Sequence, residues 1–243
     1  ALLRARGASR VADRYYRRYQ IAGKDDPWKA TADSEIWMIA PRGQPPKKFV
    51  ASRSVETRPV LDGVLGDACW RNAQSIPLTP PKNGVPVRVK NAFVLVAHDA
   101  EYLYIAGNIP RAAGLPKDRP TRKGRQHDAD LSKYDRVSFL LDTDRDYVSY
   151  YKLTIDQRGF TADSCFGNSA WNPKWFVAID ADETSWRFEA AIPGKELVPR
   201  APVRNNVWAF GVIRTMPGVG LQSWTHPMGA TPRPESFGFL RFE

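Results

Sequence analysis

The sequence predicts an all-β fold, an antiparallel β-sandwich of jelly-roll or immunoglobulin-like type, with a short helical extension at its N-terminus. Three observations carry this prediction. Short β-rich runs recur in pairs after residue 85, and Asp, Gly or Pro interrupts each pair. No strand–helix–strand alternation joins them, which argues against the parallel α/β folds that hold nucleotides. Helical periodicity is clear only near the start of the chain, with "GKELVP" (194–199) as one further short helix.

Taken in order, "LLRARGASRVADRYYRRY" reads as a helix with Val11, Tyr15, Tyr16 and Tyr19 on one face and arginines elsewhere; Gly23 and "KDDPW" end it. "PRGQPPKKFVASRS" (41–54) reads as a basic, proline-rich linker. Residues 1–54 are thus expected to be a basic helical segment plus linker, the end of a preceding domain, and residues 55–243 a β module. Within the module, "VPVRVKNAFVLVAHDAEYLYIAGNI" (85–109) gives two strands with a turn at Asp99 and Ala100. "DRVSFLLD" (135–142) and "YVSYYKLTID" (147–156) give a second pair. "KWFVAID" (174–180) and "TSWRFEAAIP" (184–193) give a third, and "NVWAFGVIRTM" (206–216) and "SFGFLRFE" (236–243) complete the set. The connections 111–134 and 163–174 are long for a sandwich, and long ordered loops often carry function.

Composition narrows the function classes. The chain of 243 residues is long enough for a substantial core. Its net charge of +10 is concentrated in residues 1–53, where 12 basic face 5 acidic side chains. Such an arm suits an anionic surface or a neighbouring protein domain. No RNA- or DNA-binding motif accompanies the arginines, so nucleic acid is not the expected partner. No apolar run approaches the roughly 18 residues of a membrane span. Cys69 and Cys165 make neither a disulfide framework nor a metal site, and two free thiols are expected. A P-loop, a G-x-G-x-x-G turn, an H-E-x-x-H helix and a nucleophile elbow are all missing from the sequence, and no catalytic function is expected of the module.

The order of motifs is similar to a family 9 carbohydrate-binding module. "VLDGVLGDACWRNAQSIPL", "VRVKNAFVLVAHDAEYLYIAGNI", "YDRVSFLLDTDRDYVSYYKLTIDQRG", "WRFEAAIP", "WAFGVIRT" with "SWTHP", and "PESFGFLRF" follow the family's succession over about residues 55–243. The resemblance implies a β-sandwich of the DOMON-like group, whose members bind sugars in some cases and haem in others. It implies a non-catalytic role, an oligo- or polysaccharide partner, and an extracellular, periplasmic or cell-envelope location, with a linked hydrolase domain an open possibility. It also implies a sugar clamped between two tryptophans, with charged side chains reaching the hydroxyls. Aligned on "YDRV" and "PESFG", the clamp positions fall near Ser132 and Thr231, Ser138 stands where a glutamate is expected, and Lys152 takes an arginine position.

A replacement site is therefore expected at one end of the sandwich. The long "GNSAWNPKW" loop supplies Trp171, Asn172 and Trp175, and Trp224, Tyr134 and Lys152 are its expected companions. Indole faces stack on the C–H faces of a pyranose, and polar groups hold its hydroxyls. The competing reading makes Trp171 a cap on the sandwich and Trp175 part of the core. A structural or protein-interaction module that lost its sugar is the alternative function. A haem-binding domain, with Met216, His226, Met228 or His98 as iron ligands, is the second. Finally, Asp142, Asp144 and Asp146 open like a calcium loop, but Tyr147 and Leu153 occupy the places where the EF-hand needs Gly and Glu. The trio reads either as a looser structural calcium site or as a polar hairpin tip.

Overall fold

The computed structural model describes every residue except 1, 2, 4, 5, 7, 23–25, 82–88, 119–126 and 227. The start of the predicted first helix, the start of the run 85–109 and part of the loop 111–134 lie outside the described residues. Among the described residues, three α-helices, α1 (Ser9–Ala22), α2 (Pro27–Ile39) and α3 (Ala68–Arg71), accompany twelve strands. These are β1 (Phe49–Ser54), β2 (Ile76–Leu78), β3 (Ala92–His98), β4 (Tyr102–Pro110), β5 (Arg136–Asp142), β6 (Tyr151–Asp156), β7 (Thr161–Cys165), β8 (Phe176–Ala181), β9 (Ser185–Pro193), β10 (Val207–Met216), β11 (Gly220–Ser223) and β12 (Gly238–Phe242). None of the described helices is long and apolar enough to cross a membrane.

The strands form one curled, mixed sheet in the order β7-β6-β5-β10-β12-β1-β3-β4-β9-β8, with β11 beside β10 and β2 beside β3. Its pairings are antiparallel except at β1, which corrects the expectation of a wholly antiparallel fold. Phe49–Ser52 runs parallel to Phe239–Phe242, whereas Arg53 and Ser54 run parallel to Ala97 and His98. β1 thus passes from one arm of the sheet to the other. The predicted linker accordingly ends before Phe49, because "FVASRS" is a central strand.

Alternation along the strands sends one face of each arm into a shared core. Val137, Phe139 and Leu141 of β5 meet Trp186, Phe188 and Ala190 of β9 there, with the Phe139 and Phe188 rings 5.5 Å apart. A buried network ties the two arms at one end. Arg214 Nε and Nη2 donate to Asp135 Oδ1 and Oδ2 at 2.9 and 2.6 Å, Arg214 Nη2 also donates to the Pro110 carbonyl at 2.5 Å, and Trp186 Nε1 donates to Asp135 Oδ2 at 3.1 Å.

Each arm also has an outer layer. On the β3–β4–β9 side, Trp70, Tyr104 and Leu95 pack beneath the segment that follows β1. Glu189 is buried in this layer, where its oxygens accept from Trp70 Nε1 (2.7 Å) and from the backbone N–H groups of Asp62 (3.0 Å) and Gly63 (2.8 Å). On the other arm, Met38 of α2 packs against a layer that includes Leu140, Ala209, Ile213 and Phe239. Asp26 caps α2 by accepting from Lys29 N at 2.9 Å, and Pro27 fills its first turn. Asp26 and Pro27 of "KDDPW" therefore start a second helix. Glu35 fixes α2 to the sheet by accepting from Arg145 Nε at 2.9 Å and from the Tyr147 hydroxyl.

Candidate functional site

Period-two alternation separates the predicted site residues onto two faces. On β6, Leu153 and Ile155 enter the core and Tyr151 packs against it, so Lys152 and Thr154 point outward. Trp171 is half-buried on the inner side, its ring 4.8 Å from that of Tyr151. Trp175 is buried and donates Nε1 to Asp163 Oδ2 at 3.2 Å. Trp224 is buried against Phe210, with ring centroids 5.8 Å apart. The three tryptophans expected to stack on a sugar thus belong to, or seal, the core, because each has an apolar cavity wall to fill. Asn172 is exposed on the connecting loop. Tyr134 is half-buried and has Arg158 over its ring at 3.4 Å, so that face is occupied. Among the described residues, the concavity that Lys152 lines includes none of these side chains. The loop placed at 163–174 is also shorter than predicted, since Thr161–Cys165 is the edge strand β7.

The outward face of β5, β6 and β7 instead forms a concavity of about 410 Å³. Arg136 of β5, Lys152 and Thr154 of β6 and Ser164 of β7 line it, with Asp130 and Ser132 on the preceding loop. Arg136 holds that loop in place: its Nη1 donates to the carbonyls of Leu131 (3.1 Å), Ser132 (3.1 Å) and Tyr134 (3.3 Å). Asp130 accepts from Ser132 N at 2.9 Å, and bonding to Ser132 keeps its carboxyl below the usual range. Ser138 shares a hydrogen bond of 2.9 Å with Thr154. Burial lowers the Lys152 ammonium pKa, and the Arg136 charge lowers it further. Among the described residues no carboxylate pairs with Lys152. Sequence reading found Lys152, Ser132 and Ser138 but missed Arg136, although 136 and 138 share a strand face by simple alternation.

The aspartate trio does converge. Carboxylate oxygens of Asp142, Asp144 and Asp146 lie within 4.8 Å of one another. Asp142 is buried, Asp144 exposed and Asp146 between the two. Burial, with Asp146 and Asp144 adding to it, pushes the Asp142 carboxyl up to about 7. The same side chains also build the turn: Asp142 Oδ2 accepts from Tyr147 N at 2.9 Å, and Asp146 Oδ1 from Val148 N and Ser149 N at 2.7 Å. Three crowded carboxylates are a donor set that suits a hard divalent cation.

Each of three residues considered for iron has a local partner. His98 shares a hydrogen bond of 3.0 Å with Ser52, His226 one of 3.0 Å with Thr79, and Met228 packs in the layer that Met38 of α2 touches. Cys69 and Cys165 are free and half-buried.

No family model matches the chain, and no curated protein matches it. Solved structures do. A family 9 carbohydrate-binding module from Caldicellulosiruptor kristjanssonii in complex with cellotriose superposes with a TM-score of 0.60 at 16% identity, over 81% of this chain and 94% of that one. The same organism's module with glucose gives 0.58 at 16% identity, over 81% and 96% of the two chains. A protein of Bacteroides uniformis ATCC 8492, described as a candidate carbohydrate-binding protein, gives 0.60 at 15% identity, over 81% and 100%. The chain has the fold of the family 9 carbohydrate-binding modules.

Proposed function

We propose that the chain is a non-catalytic glycan-binding module that holds its sugar in the outer concavity of β5, β6 and β7. That concavity is the observation that carries the reading: hydroxyl, carboxylate and cationic groups converge on a rigid sheet face, the arrangement that pyranose hydroxyls need. Support also comes from the structures of like fold that hold cellotriose and glucose. Affinity comes here from directed hydrogen bonds rather than from aromatic stacking, because Trp171, Trp175 and Trp224 serve the core. Binding without bond cleavage accords with Glu189, whose oxygens are taken up by three structural donors. In this reading the curled sheet is a jelly-roll sandwich of the DOMON-like group, working outside the cell or in its envelope. The exposed arginines and Tyr15 of α1 would dock a neighbouring protein domain. Asp142, Asp144 and Asp146 would hold a structural calcium ion.

The alternative, an interaction module that lost its sugar, is favoured by one observation: Ser132 and Thr231, near which the resemblance implies clamp aromatics, are not aromatic. A glycan array combined with pull-down on insoluble polysaccharides separates the two. Retention of the protein on at least one glycan is expected. Blank results in both assays would leave the interaction module standing.

A further inference from the structure

We propose that the outer concavity recognises an anionic sugar, a uronate or a sulfate ester, and that Lys152 reads the charge; this rests on the glycan-binding reading above. Among the described residues, no aromatic side chain lines the concavity. A neutral pyranose would therefore find no ring to stack on there and would leave the Lys152 charge unmatched, while each of its hydrogen bonds exchanges for one to water with modest net gain. A hydrogen bond between two ionised partners is shorter and stronger than a neutral one, and among the described residues Lys152 lines the concavity with no carboxylate paired to it.

Lys152 occupies that position for structural reasons. It lies in the middle of β6, facing Leu140 of β5 and Ser164 of β7 in register, so its stem is flanked by sheet on both sides. The acids of the concavity are committed elsewhere. Asp130 sits at the rim and accepts from Ser132. Asp163 turns toward the core and bonds Trp175. Arg136 has Asp130, Asp135 and Asp156 as surrounding negative charge, and its Nη1 is fixed by three loop carbonyls. Lys152 has Arg136 as its charged neighbour instead, a like charge that an incoming anion would offset. A sugar carboxylate or sulfate directed at Lys152 would leave ring hydroxyls to meet Ser132 and Asp130 at the rim.

The test is calorimetric titration of trigalacturonate, a sulfated carrageenan oligosaccharide and neutral cellotriose into the wild type, Lys152→Met and Lys152→Arg. An anionic oligosaccharide should bind the wild type, weaken with added salt, and bind Lys152→Met about tenfold or more weakly while Lys152→Arg keeps it. Lys152→Met retains the stem volume and removes a desolvated charge, so a melting curve like that of the wild type should accompany the loss. Cellotriose binding as well as the anions do, unchanged in Lys152→Met, would overturn the charge selection and leave the glycan reading in place. Anion binding unchanged in Lys152→Met would overturn it too. Silence from all three sugars, with the protein folded, would overturn both.

Discussion

The Asp135 carboxylate makes the sharpest stability prediction, because it joins both arms of the sheet and ends the loop that borders the concavity. Asp135 and Arg214 are 1% and 0% exposed. Asp135→Ala would leave the Arg214 guanidinium buried without its two carboxylate bonds and would strand the Trp186 indole N–H. Breaking a buried ion pair from one side costs about 3–5 kcal/mol. For a chain of this size each kcal/mol lowers the melting temperature by roughly 2–4 °C, so a loss of about 6–20 °C is expected. The assay is urea and thermal denaturation of the wild type, Asp135→Ala, Arg214→Met and the double variant. Arg214→Met should also destabilise. The double variant should be less damaged than the sum of the two, since it removes the orphaned charge together with its partner. If Asp135→Ala costs less than about 1 kcal/mol, or the two substitutions simply add, the network does not tie the arms and the reasoning fails.

Other consequences are as specific. Glu35→Ala removes the acceptor of Arg145 and Tyr147 and should lower stability by about 2–4 kcal/mol, with amide exchange quickening in α2; unchanged exchange would contradict the docking. A Cβ at Gly238 would stand 2.8 Å from both the Trp224 ring and the Lys48 carbonyl, so Gly238→Ala should cost about 1–3 kcal/mol in denaturation. The Asp142 carboxyl titrates near 7 in the folded chain but near the ordinary carboxyl value of about 4 once unfolded. Its contribution is complete below that lower value and is lost as pH rises through about 7, so melting temperature should fall across this window. Asp142→Asn should flatten the decline. Calcium added above pH 7, where Asp142 is ionised, should raise the melting temperature of the wild type alone; equal responses in wild type and Asp142→Asn would contradict a cation at this site.

Much of the fold was legible because its central strands are long, largely apolar runs, buried along most of their length. "AFVLVAH", "YLYIAGNIP", "RVSFLLD" and "SWRFEAAIP" each carry a core-facing set at every second position. The missed elements have local signals that point elsewhere. β1 follows two prolines and two lysines, and only its parallel partners β12 and β3, far away in sequence, make it a strand. β11 has four residues and no pattern to read. α2 was hidden because Pro27 looks like a stop, whereas a proline after a capping Asp is also a start. The site was harder. Tryptophans in a loop look like a sugar platform, but whether an indole turns inward depends on the opposite arm, which no local window contains. Tyr151 and Lys152 are adjacent in sequence and on opposite faces of the sheet, and that alternation separates the core from the concavity.

The central claim is that a glycan binds on the outer face of β5, β6 and β7. Amide chemical-shift mapping of the isotope-labelled protein, titrated with the oligosaccharides that it retains, tests this most directly. The account predicts shifts concentrated at Ser132, Arg136, Lys152, Thr154 and Ser164, with the Trp171–Trp175 loop silent. Shifts centred on Trp171 and Asn172, with the concavity unmoved, would contradict it.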